Sequence, residues 1–188
     1  MVFSSLARAA GAGLLLGTSM APAAPAAAQQ ATVVTDSVFL QTAGSLGLLQ
    51  MKLAKMAEDK GSSPGVKEFA NRMMADYSNV NDELAAAAKQ AALPRPVLMR
   101  QHQQVVDRFR RMGRGSFDRN YMAEMVRYHG EAVRLFREET ETGRIASLKQ
   151  TASRMLPSVQ QHLALANETA RSVGADVTAS AAQGKSGT

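Results

Sequence analysis

Four residues pair chemically capable side chains with positions where an apolar residue is expected: Gln50, Tyr77, His129 and His162. Each stands in a run whose members recur at alternating steps of four and three, the spacing that lays side chains along one helix face. Neutral imidazole is a common metal ligand and titrates near physiological pH. An amide and a phenol add weaker oxygen donors. Two readings of the set follow. One is a metal site between helices, with His129 and His162 as ligands and Tyr77 and Gln50 as neighbours. The other is a buried polar network in which the histidines bond to Tyr77, Gln50 or backbone. A ferritin-like di-iron centre needs Glu on two helices and Glu-x-x-His on the other two. Here Val126 and Val159 occupy the positions three before the histidines, and the seams carry no carboxylate. Ferric oxygen chemistry is therefore not expected, and no cofactor is assigned.

The elements that must position these residues are helices. The chain has 188 residues, 45% hydrophobic and 5% aromatic, with no Cys and no Trp. Few aromatic residues and many Ala, Met, Leu, Arg and Gln disfavour a sheet protein. Zero Cys excludes a disulfide scaffold, a thiol enzyme and cysteine-based metal sites. Helices are expected over residues 36–60, 66–92, 117–142 and 145–173, with a shorter basic one over 97–112. Thr35 or Asp36 should cap the first and Ser116 the third long helix. Pro157 should kink the last. The seams read Phe39, Ala43, Leu46, Gln50, Leu53, Ala57 in the first helix and Met73, Tyr77, Val80, Leu84, Ala87, Ala91 in the second. The third long helix gives Met122, Met125, His129, Ala132, Phe136, and the fourth Leu148, Ala152, Met155, Val159, His162, Ala166, Thr169, Val173. One buried seam per helix with short connections predicts an antiparallel four-helix bundle made of two hairpins. Counting from the turns at residues 61–65 and 143, the two members of each pair (Gln50 and Tyr77, His129 and His162) differ in height by about one turn or so. All four could face one interior patch.

A fainter signal is a repeat at an offset of 82 residues. Val66, Lys67, Ala70, Arg72 and Met73 align with Leu148, Lys149, Ala152, Arg154 and Met155, and Leu53 and Gly61 align with Leu135 and Gly143. A duplicated hairpin and shared helix composition both account for it.

The ends read differently. Residues 1–28 hold one base, Arg8, and no acid; an apolar run over 9–16 precedes Ala26-Ala27-Ala28. That is the pattern of a secretory signal peptide, and the run is too short to span a bilayer. A disordered linker over 29–35 and a small, polar, disordered tail over 174–188 complete the expected organisation. The expected location is the periplasm.

Other features weigh less. Met51, Met56, Met73, Met74, Met122, Met125 and Met155 fall on or beside seams, where a flexible thioether fills core space, whereas a copper-binding role would want Met and His clustered in an exposed segment. Lys+Arg 22 against Asp+Glu 16 gives +6 with His neutral. Arg95, Arg100, Arg108, Arg110, Arg111, Arg114 and Arg119 concentrate charge in the connector, against Asp107 and Asp118. They form a solvated face, or a contact through Arg108, Arg110, Arg111 and Arg114 for an anionic envelope partner. Nucleic acid is a poor partner for an exported chain, and no later segment reads as a membrane span. His102, in the same stretch, is expected to be exposed. Phosphate-loop, His-Glu-x-x-His and Gly-x-Ser-x-Gly motifs are missing, so the expected protein is non-enzymatic.

The residues also carry a resemblance. Gln50-Met51-Lys52-Leu53-Ala54-Lys55-Met56-Ala57, the stretch from Val66 to Asp76-Tyr77, Phe117-Asp118 with Tyr121, Val126 with His129, and Leu156-Pro157 with His162-Leu163 resemble a family of exported bacterial proteins. These carry a domain of unknown function with a ferritin-like bundle. The likeness covers residues 36–173. In that family the first stretch usually has Glu where Gln50 stands, and the second has His where Tyr77 stands, while His129 and His162 match. The resemblance implies a periplasmic or cell-envelope protein with two of four potential ligands replaced, and it implies no established reaction.

Overall fold

The computed structural model describes residues 26–177, with side chains from residue 35 onward. The expected leader lies outside the described residues as far as residue 25, and the expected tail from residue 178. The described residues form five helices and no strand: α1 Ala26–Lys60, α2 Pro64–Gln90, α3 Arg100–Arg111, α4 Arg114–Thr142 and α5 Ala146–Ser172. The fold is all-α. None of these helices is long and apolar enough to cross a membrane. α1 is helical from Ala26, so residues 29–35, read from sequence as a linker, continue the helix. Residues 174–177 are an ordered turn rather than the start of a tail, with Ala175 and Val177 resting on the core.

Packing follows the seams. α1 pairs with α2, α4 pairs with α5, and the two pairs meet through α1 on α4 and α2 on α5. The seam residues of α1 and α4 are all buried, as are those of α5 up to Thr169. Met73, Met122, Met125 and Met155 are buried, and Met51, Met56 and Met74 pack partly against the same core, which makes the methionines core filler. Phe39 meets Phe136 edge to face at 5.2 Å, joining α1 to α4. α5 runs through Pro157 without a break.

α1 buries a second face because α3 lies on it. His102, Val106 and Phe109 are the buried side chains of α3. His102 is therefore inside, not exposed as its basic neighbours suggested. Its Nδ1 lies 2.6 Å from Ser45 Oγ, which also accepts the Met99 N–H at 2.8 Å. The connector crosses α1 at Gly44, where a Cβ would sit 2.2 Å from Pro96 Cβ. At the other end of α3, Lys60 Nζ donates to the carbonyls of Phe109, Arg110 and Met112. A cation on free C-terminal carbonyls is the favourable arrangement for a helix dipole.

The hairpin turns overturn the expected caps. Asp36 lies within α1 and does not cap it. Its fully buried carboxylate accepts the Arg144 N–H at 3.2 and 3.3 Å and the Ile145 N–H at 2.8 Å, at the start of α5. Asp118 does the same for α2, accepting the Ser62 N–H at 3.1 Å on both oxygens and the Ser63 N–H at 2.7 Å. Ser116 is not a cap either; its hydroxyl donates to Gly113 O at 3.5 Å, and Gly113 precedes the helix. Each hairpin thus supplies the N-terminal cap of the other.

These caps are 82 residues apart, and so is everything around them. Gly61 N–H donates to Ala57 O and Gly143 N–H to Glu139 O, both at 2.9 Å. After α2, Ala92 N–H bonds Lys89 O and Leu93 N–H bonds Ala88 O; after α5, Gly174 N–H bonds Arg171 O and Ala175 N–H bonds Ala170 O. Both helices end in this paired-bond C-cap with a left-handed residue. The offset of the faint sequence repeat thus also relates the caps, turns and helix ends of the two hairpins. The two C-caps differ in one respect. Gly174 has φ 62°, and its counterpart Ala92 has φ 53°, a conformation that strains a Cβ. Ala92→Gly is expected to raise stability by about 0.5–1 kcal/mol, read as a higher urea midpoint at unchanged slope; a lower midpoint would mean that the Ala92 methyl packs usefully.

Candidate functional site

α2, α4 and α5 bring three of the four singled-out residues together. The rings of His129 and His162 lie 5.7 Å apart between centroids, at 85°. Tyr77 is 5.9 Å from His129 and 5.7 Å from His162. Phe69 stands edge-on to both His129 and Tyr121 at 6.1 Å. All five side chains are buried. Gln50 is also buried, on α1, but no hydrogen bond or ring contact joins it to the histidines, and its Oε1 has no partner.

The outer nitrogen of each histidine is fixed. His129 Nδ1 lies 2.8 Å from Met125 O, which can only accept, so this nitrogen carries the proton. His162 Nε2 lies 2.8 Å from Asp76 Oδ2 and donates to that carboxylate. Asp76 in turn meets Arg72 at 3.4 Å and is about one-third exposed, so the chain of contacts runs from solvent to the core. Sequence reasoning missed Asp76. Its signal was its place one residue before the seam residue Tyr77, on the edge that α2 turns towards α5.

The inner nitrogens are left over. His129 Nε2 and His162 Nδ1 are buried with no hydrogen-bond partner, as is Tyr121 Oη. Burial lowers the His129 pKa to about 4, against the smaller opposing effect of the Met125 bond. Burial also lowers that of His162, opposed by Asp76. Both rings are thus neutral at pH 7, and each inner nitrogen is a lone pair. Burial raises the phenol pKa values of Tyr77 and Tyr121, which stay protonated. A buried acceptor without a donor costs about 1–3 kcal/mol, so the arrangement suits a positively charged or proton-donating occupant. Two imidazoles sharing one ion at about 2.1 Å put their centroids roughly 5–6.5 Å apart, a range that includes the observed separation. Among the described residues no group of three or more His, Cys, Asp or Glu could hold a metal ion.

The connector arginines divide. Arg108 pairs with Glu124 and Arg110 with Asp107. Arg111 and Arg114 are exposed and have no carboxylate partner among the described residues. Only part of the proposed anionic contact is therefore free.

A protein-family model matches residues 21–169, more than half of the chain. The chain belongs to the family described as Domain of unknown function (DUF4142). No curated protein and no solved structure matches it. In this DUF4142 member the matched region ends inside α5, seven residues past His162, and so includes Asp76, Tyr77, His129 and His162.

Proposed function

We propose that this DUF4142 protein is an exported, non-enzymatic, ferritin-like bundle of the cell envelope that holds one small cation between His129 and His162. The single observation that carries the reading is the pair of unpartnered, buried imidazole nitrogens, each fixed in its tautomer by a bond on its far side. Metal-binding histidines have this support as a rule: a carbonyl or carboxylate on the other nitrogen sets ring orientation and raises basicity. The ferritin-like arrangement is supported by the ends that meet. Asp36, in the first third of α1, touches the α4–α5 turn, and Asp118, near the start of α4, touches the α1–α2 turn, which supports α1 and α4 running antiparallel. Export is supported by Arg8, the apolar run over 9–16 and the Ala-Ala-Ala exit. Two neutral rings without a carboxylate ligand suit holding an ion better than activating oxygen.

The test is elemental analysis of the protein recovered from the periplasmic fraction, beside a His129→Ala, His162→Ala double variant. About one metal ion per chain, absent from the folded double variant, is the expected result. A metal-free wild-type protein that also stays metal-free after soaking in zinc and copper salts would overturn the reading.

A further inference from the structure

Away from the histidine pair, the positive charge of the chain gathers on one side. Residues 95–119 hold seven arginines against two aspartates, which is +5 of the formal +6 of the whole chain. The helix at their centre is α3, which lies over the seam between α1 and α4. His102 packs on Tyr128 and Phe109 on Phe117, and Arg108 pairs with Glu124. The buried side chains of α3 are His102, Val106 and Phe109. Arg100, Gln104, Arg108 and Arg111 recur at steps of four, four and three on the opposite face. Every exposed residue of α3 is Arg or Gln.

We infer that this face docks the protein on an anionic phospholipid surface. Arg95, Arg100, Arg111 and Arg114 are exposed and have no carboxylate partner among the described residues. Neither aspartate of the segment offsets them. Asp107 is bonded to Arg110 and Gln103, and Asp118 is committed to the Ser62 and Ser63 N–H groups. A guanidinium meets a phosphate oxygen pair through two parallel bonds, and mobile headgroups adjust to the spacing of the side chains. Val97 adds an apolar contact. It is 64% exposed, between Arg95 and Arg100, on the connector that crosses α1 at Gly44. An aliphatic side chain among bases enters a headgroup layer, whereas a nucleic-acid backbone offers it nothing. A protein partner would want an apolar core with aromatic anchors, which a face of Arg and Gln beside one Val lacks. The apolar side of α3 is held by α1 and α4, so the contact is peripheral and electrostatic, with the helix left in place.

The experiment is co-sedimentation of the chain from the periplasmic fraction with vesicles of phosphatidylglycerol and phosphatidylcholine, beside vesicles of phosphatidylcholine alone. Binding to the mixed vesicles only is expected. It should weaken at least tenfold as salt shortens the screening length from about 30 Å to about 8 Å. Each base near an anionic surface is worth about fivefold in partition, so Arg111→Gln with Arg114→Gln should cost about 25-fold. Val97→Ser should cost about fivefold. Lys89→Gln with Arg154→Gln removes the same charge from exposed places on α2 and α5 and should cost less than about threefold. All these side chains are exposed, so the variants keep the fold. No binding, or equal binding to phosphatidylcholine alone, would overturn the proposal. Equal losses in the two double variants would overturn the face, leaving net charge as the cause. Tighter binding to duplex DNA than to the mixed vesicles would overturn the choice of a membrane.

Discussion

Removing both reciprocal caps, by Asp36→Ala together with Asp118→Ala, is expected to lower the melting temperature by about 10–20 °C. Each carboxylate satisfies two backbone N–H groups at a helix start where neither N-cap residue uses its own side chain. Charge-assisted bonds of this kind contribute more than neutral ones, and an orphaned buried donor costs about 1–3 kcal/mol. Asp36 is fully buried, so its loss should cost about 3 kcal/mol; Asp118 is partly exposed, so water replaces some of its bonds and the cost falls to about 2. The caps sit well apart along α1, some 37 Å at the rise of a helix, so the two costs should add. Urea unfolding of the two single variants and the double gives the three values. A double variant within about 1 kcal/mol of the wild type would show that the turns hold without the carboxylates.

The history of Asp36 shows where sequence reasoning stops. The seams were legible because burial repeats with the helix, and every α1 and α4 seam residue named from spacing is buried. Asp36 precedes an apolar periodic run, so a local rule makes it the cap of that run. The structure spends it instead on a helix 108 residues away. No local rule contains that distance, although the offset of 82 contained it indirectly, since Asp36 and Asp118 occupy equivalent places in the two hairpins. His102 was misplaced for the opposite reason. His102, Val106 and Phe109 follow the same four-and-three spacing as the long seams, and the surrounding arginines hid it. At the site, Tyr77, His129 and His162 were found from spacing, whereas the pairing of His162 with Asp76 depends on the rotation of α2 against α5, which periodicity leaves free. Gln50 shows the converse: its height matched, yet α1 does not bring it into hydrogen-bond contact with the rings.

Glu139→Gln is expected to make the metal-free protein acid-sensitive while stabilising it at pH 8. Glu139 is buried at the end of α4, one oxygen has no partner, and burial with the nearby Asp36 raises its pKa to about 7 from an ordinary 4.5. Between pH 4.5 and 7 the folded chain therefore holds more proton at this carboxyl than the unfolded chain does. Its stabilising effect is complete below pH 4.5 and is lost as pH rises through 7. His129 behaves in reverse. Its folded pKa of about 4 lies below the ordinary 6.5, so the unfolded chain binds the proton first. Its contribution is complete above pH 6.5 and is lost as pH falls towards 4, with His162 and His102 shifted in the same direction. Each pKa unit is worth about 1.4 kcal/mol, so the His129 shift amounts to about 3 kcal/mol and the Glu139 shift, discounted for its polar setting at a chain turn, to about 2. In the wild type the two slopes oppose each other, and stability should change little between pH 7 and 5. The Glu139→Gln amide resembles the protonated acid at every pH. That variant should gain about 2 kcal/mol at pH 8 and then lose about 3 kcal/mol on acidification from pH 7 to 4, because the histidine slope is no longer offset. Urea unfolding of chelator-treated protein across that range measures both slopes. A variant whose profile parallels that of the wild type would mean that Glu139 ionises as an ordinary surface acid.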